Sequence, residues 1–165
     1  MFQKKLYDNY KDLKEDAVDK HFAIYGDLYE NNRFESIIFQ EQNCICGIAY
    51  YNYGIDSKIL PLNNAQRLFI GFGNRIIGID CNTKKALFQE ETIAPFYEFI
   101  ETAHCILAIC ELQVYAFDSE CQLIWSSDFR DIVEDYHIVD GEKISISCSN
   151  GDITTFTLKD GTPSN

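Results

Sequence analysis

One pattern, written twice at an offset of 38 residues, constrains this chain more than any other feature. Leu68-Phe69-Ile70-Gly71-Phe72-Gly73-Asn74-Arg75-Ile76-Ile77-Gly78-Ile79-Asp80 returns as Ile106-Leu107-Ala108-Ile109-Cys110-Glu111-Leu112-Gln113-Val114-Tyr115-Ala116-Phe117-Asp118. Each copy is a short apolar run, a tight reversal, and a second apolar run ending in Asp. Runs this short, rich in β-branched and aromatic residues, read as strands. Gly73-Asn74 suits the positive φ of a tight turn, and Glu111-Leu112 takes its place in the second copy. A third β run follows each copy, at Ala86-Leu87-Phe88 and at Leu123-Ile124-Trp125. Residues 144–161 form a degenerate third copy, with Ile144–Cys148 and Ile153–Leu158 joined by Asn150-Gly151. A period near 40 residues with several strands per unit predicts blade-like β repeats.

The remainder of the chain reads in shorter pieces. Leu6, Tyr10, Leu13, Ala17, His21 and Ile24 recur every three or four residues, which predicts an amphipathic helix over 4–24 with Gly26 as its stop. Phe34–Gln40 and Cys44–Tyr51 read as a hairpin around Glu41-Gln42-Asn43, and 55–64 as a connection broken by Pro61. Phe129, Ile132, Val133 and Tyr136 are helically spaced behind Ser127 and Asp128, so a second, short helix is expected there, presenting Asp131, Glu134 and Asp135 outward. The expected whole is one domain, 1–165, of α+β class and mainly antiparallel β. It comprises an N-terminal helical segment (1–30), a β hairpin and connection (31–66), and about three open blade-like β repeats (67–161).

Val114-Tyr115-Ala116-Phe117-Asp118 followed by Leu123-Ile124-Trp125 resembles a blade of the quinoprotein-type and related β-propellers, over roughly 68–161. The resemblance implies twisted four-stranded units. Three units fall short of the usual ring of four to eight blades, so an open assembly is expected, with the N-terminal helix covering a face or an edge. It carries no quinone-binding residues onto this chain.

Charge narrows the function classes. The formal net charge is −12, and between Ala86 and Glu142 a long series of acids faces one base, Arg130, so that segment alone carries the imbalance. A one-sign field of this kind repels nucleic acid and anionic lipid and attracts basic proteins. Ordinary solubilising surfaces intersperse Lys and Arg among their acids. The expectation is a small acidic cytoplasmic protein that binds a basic partner through Glu98, Glu101, Glu111, Asp128, Asp131, Glu134 and Asp135, with Trp125 as an aromatic anchor. By analogy with small acidic immunity proteins, the concrete form is an inhibitor that neutralises a bacterial toxin or nuclease by occluding it. A non-inhibitory scaffold or adaptor, or a glycan binder using Tyr50, Tyr51, Tyr53 and Trp125, are the alternatives.

Catalytic and metal chemistry finds little support in the residues. The seven cysteines are an odd number behind an N-terminus without an apolar signal core, which fits buried thiols in a reducing cytoplasm. Cys44-x-Cys46 and Cys105-x4-Cys110 lack zinc-site spacing, and the adjacent His104-Cys105 faces opposite ways on a strand. Gly71-Phe72-Gly73 lacks the sequel of a phosphate loop. No run of apolar residues is long enough to span a bilayer. No enzyme activity, cofactor or metal is expected.

Overall fold

A computed structural model describes residues 2–26, 31–39, 44–62 and 66–164. It arranges the described chain as four four-stranded sheets and one helix. The first sheet has the order β1-β3-β4-β2, from Phe2–Leu6 (β1), Ala23–Gly26 (β2), Arg33–Phe39 (β3) and Cys44–Tyr50 (β4), with helix α1 (Tyr10–Lys20) between β1 and β2. The second is a meander of Lys58–Leu62 (β5), Arg67–Phe72 (β6), Arg75–Asp80 (β7) and Lys85–Glu91 (β8). Phe96–Glu101 (β9), Ile106–Cys110 (β10), Gln113–Phe117 (β11) and Leu123–Asp128 (β12) form the third. Val133–Val139 (β13), Lys143–Cys148 (β14), Ile153–Thr157 (β15) and Pro163–Ser164 (β16) form the fourth. All pairings are antiparallel except β2 with β4.

Packing explains the long apolar runs. The second and third sheets are covered on both faces, so β10 and β11 are buried throughout and β6 and β7 nearly so. Ile37, Ile48 and Tyr50 pack on Leu68, Ile70 and Ile77; Phe69 and Ile76 pack on Phe96, Ala108 and Phe117; Leu107, Ile109 and Val114 pack on Ile144, Ile146 and Phe156. Each of these clusters joins two neighbouring sheets, and no described cluster joins the first sheet to the fourth. Among the described residues the sheets therefore form an open series. Leu13 and Ala17 of α1 cap its first sheet by packing with Phe22 and Ala49.

Four expectations change. The 4–24 helix is shorter: Asn9 caps it by accepting from the Asp12 amide at 3.0 Å, and His21 ends it in the left-handed region at φ 55°. Leu6 then belongs to β1, where it is exposed, and Ile24 to the parallel strand β2. The expected helix around Phe129–Tyr136 is instead a connection followed by β13, paired with β14. Part of the expected connection 55–64 is β5; Pro61 is tolerated there because β5 pairs on one side only. The third repeat is complete, since β13 and β16 flank the two strands read from sequence. Glu41-Gln42-Asn43 and the side chain of Cys44 lie outside the described residues.

Burial sets the alkaline limit of the fold. The thiols of Cys110 and Cys121 and the phenol of Tyr115 are each pushed up to about 12, chiefly by desolvation; Tyr50 reaches about 12 through desolvation and then the charge of Glu35. Unfolded, these groups ionise near their ordinary values of 9.0 and 10.0. The folded state therefore holds their protons more tightly, and its advantage is complete below about pH 9 and drains away towards pH 12. Urea midpoints measured at successive pH values should hold to about pH 8 and then fall steadily. A midpoint unchanged through pH 11 would contradict this burial.

Candidate functional site: an acidic, hydrogen-bond-laced end of the stack

The strands give every sheet two ends, and connections alternate between them. At one end lie the turns 73–74, 111–112 and 149–152 and the crossings 92–95 and 129–132. Backbone hydrogen bonds lace these segments from sheet to sheet. At the boundary of the second and third sheets, Thr92 N donates to Asn74 O, Phe96 N to Gly73 O and Glu111 N to Pro95 O, at 2.7–2.8 Å. At the next boundary Phe129 N donates to Leu112 O, Val133 N to Glu111 O and Ser149 N to Ile132 O, all at 2.8 Å. The second set repeats the first with its residues advanced by 37 or 38. The repeat thus encodes the joints between sheets as well as the strands.

Buried Gln113 adds a side-chain strut to the lacing. Its Oε1 accepts from Ile93 N and its Nε2 donates to Asp128 Oδ1, both at 2.8 Å. Asp131 Oδ1 accepts from Ile132 N at 2.8 Å and from Ser149 Oγ at 2.5 Å; the hydroxyl first, then the amide, hold its carboxyl below the usual range. A recess of about 230 Å³ opens here between the third and fourth sheets, lined by Asp128, Phe129, Arg130, Asp131, Asn150 and Asp152.

The expected acidic residues divide between the ends. Glu111, Asp128, Asp131 and Glu134 gather at the laced end on adjacent segments. Glu98, three residues into β9, accepts from the Tyr136 hydroxyl across the sheet boundary. Burial and then this carboxylate push the Tyr136 phenol well up, while burial and then Glu111 raise Tyr97. Asp135 pairs with Ser147 in the register of the fourth sheet, past the β13 bulge. Glu101 departs from the group. It lies at the far end of β9 and lines a separate recess of about 380 Å³ with His104, Cys105 and Asp118. None of these seven acids forms an ion pair with Lys or Arg among the described residues.

Trp125 is not a surface anchor. It is buried at 9 % exposure, stacks on Phe156 with centroids 5.8 Å apart, and its indole N–H donates to Leu158 O at 3.0 Å. Of the tyrosines considered for glycan binding, Tyr50 is also buried, whereas Tyr51 and Tyr53 are exposed with centroids 4.9 Å apart.

Sequence reasoning missed a second polar cluster. Glu35, 1 % exposed on β3, accepts from Arg33 Nε at 2.9 Å, Tyr50 Oη at 3.0 Å and Ser57 Oγ at 2.7 Å. Lys4 Nζ lies 3.9 Å from the same carboxylate and donates to Ser57 Oγ at 2.7 Å. Each partner satisfies a charge or dipole that burial would otherwise leave costly. An acid inside the apolar run of β3 was the one available signal. Among the described residues, no cluster of three or more His, Cys, Asp or Glu could hold a metal ion, and no helix is long and apolar enough to cross a membrane.

No family model and no curated protein matches the chain. Solved structures do. The dihydro-heme d1 dehydrogenase NirN, solved in complex with DHE, is similar with a TM-score of 0.50 and 6% identity over 80% of this chain and 32% of that one. Sqt1 of Saccharomyces cerevisiae has a TM-score of 0.47 with 16% identity over 84% and 45%, and BamB of Moraxella catarrhalis 0.46 with 12% over 100% and 51%. The chain spans about a third to a half of the length of these structures. At such identity the likeness to NirN concerns fold alone, and it agrees with sheets arranged as blade-like β repeats.

Proposed function

We propose that this chain is a protein-binding module whose laced end receives a basic protein. In its most concrete form it is a cytoplasmic immunity protein that occludes a basic bacterial toxin or nuclease. The observation carrying this reading is that Glu111, Asp128, Asp131 and Glu134 share one hydrogen-bonded end without a Lys or Arg ion pair among the described residues. Unneutralised carboxylates on a stiff platform attract cationic surfaces and speed their encounter, and they gain more from an incoming Arg or Lys than acids already paired.

The test is a one-to-one titration with a basic protein recovered by the immobilised chain at low ionic strength. Asp131→Lys with Glu134→Lys is expected to weaken binding at least about tenfold, and added salt should weaken the parent interaction too. Recovery of no basic protein, or equal affinity of the doubly reversed variant, would count against the reading. Glu134 is exposed and Asp131 half-buried, so circular dichroism of the doubly reversed variant, and of Glu134→Lys alone, separates lost binding from a disturbed fold.

A further inference from the structure

We propose that the laced end docks an amphipathic basic segment of a partner protein, with Ile93, Ile132 and the Tyr51–Tyr53 pair as its apolar anchors. The proposal rests on the acidic reading above and deepens it by naming the chemistry of the partner. Ile93 is 68 % exposed, Tyr53 52 %, Tyr51 49 % and Ile132 42 %. Scattered apolar residues on a surface are ordinary. These four are not scattered: they occupy three successive sheet-to-sheet connections, all at one end.

The lacing fixes the row. Gly73, at φ +51°, lies so close under the β4–β5 connection that a Cβ on it would be 3.1 Å from Tyr51 O. The same turn accepts from Thr92 N through Asn74 O, and Ile93 N is held by Gln113, which also holds Asp128. Ile132 closes the row, its carbonyl accepting from Ser149 N. Apolar side chains on a rigid platform lose little further freedom on binding, and an apolar centre inside a polar rim is how protein interfaces concentrate affinity.

Charge selects the occupant. Glu111, Asp128, Asp131 and Glu134 lie on the segments around Ile132, with Arg130 the one base among them, and Gln113 ties Asp128 to Ile93. A second copy of the chain would therefore bring mainly like charge against like. A purely cationic segment would leave the isoleucines and tyrosines in water, and a purely apolar one would cover carboxylates unpaired. A segment with apolar residues on one face and Lys or Arg beside them satisfies both sets.

A short amphipathic Leu/Lys peptide and a Lys/Ser peptide of equal charge, each fluorescein-labelled, test this by anisotropy against the full chain. The Leu/Lys peptide should bind more tightly than the Lys/Ser peptide. Ile93→Ser with Ile132→Ser should weaken it roughly tenfold while leaving its salt dependence in place. Equal binding of the two peptides, or an unchanged affinity in the isoleucine variant, overturns the anchors; if Asp131→Lys with Glu134→Lys still abolishes that binding, the acidic reading survives alone. Leu/Lys binding indifferent both to salt and to those reversals overturns the proposal and the acidic reading together. No binding of the Leu/Lys peptide also overturns the proposal.

Discussion

Glu35→Ala is expected to lower folding stability by about 3–5 kcal/mol, the range for removing one partner from a buried charged network. Alanine would take the shared acceptor away from the buried Tyr50 and Ser57 hydroxyls and the counter-charge away from Arg33 and Lys4, whose side chains are each about a third exposed. Those groups come from β1, β3, β4 and the β4–β5 connection, so the damage falls where the helix-capped first sheet meets the second. Glu35→Gln keeps the shape and part of the hydrogen bonding but loses the charge, and should stand between alanine and the parent. Urea unfolding followed by circular dichroism measures both. A loss below about 1 kcal/mol for alanine would show that the network is not a fastening of the fold.

Trp125→Ala should cost a similar amount, about 3–5 kcal/mol, by opening a cavity between the third and fourth sheets. The indole is held by Phe156, by Leu158 O and by Gly161, whose φ of +68° lets the chain pass so closely that a Cβ there would lie 2.6 Å from the ring. Trp125→Phe, which keeps the ring contact and loses the hydrogen bond, should recover most of the stability. The same urea series decides the matter, and near-parental stability of the alanine variant would return Trp125 to the surface role first expected of it.

The strands most easily read from sequence are those buried on both faces, because burial on two sides leaves no polar residues to blur the pattern. β6, β7, β10 and β11 are of that kind. β5, β9 and β13 each pair on one side only and mix apolar with charged residues. In β13 the bulge between Val133 and Asp135 puts Val133 and Tyr136 on the same buried side, so a strand acquired the three-residue spacing of a helix. The apolar stripe over 4–24 misled in another way, by joining residues of β1, α1 and β2 that are not one element; Asn9 was the signal of the true start. The acidic segment was legible as charge but not as a surface. Glu98 and Glu101 are three residues apart on one strand, which is enough to send them towards opposite ends. Gln113 gave no sign at all, because what makes it important is the connection it reaches rather than its place in the pattern.

The repeated joints make the molecule a short one-dimensional array, in which each sheet is stabilised by its neighbours and scarcely by anything further away. In such an array, cooperativity resides in the boundaries, and unfolding proceeds inward from an end. The fourth sheet has one apolar boundary and closes with a two-residue strand, whereas the first has an apolar boundary on one side and a helix on the other. Its amides should therefore exchange with solvent earlier than those of β6, β7, β10 and β11. A partner spanning Tyr51 to Ile132 would bridge three boundaries at once, binding the array together along its length, so that occupancy and resistance to unfolding would rise together.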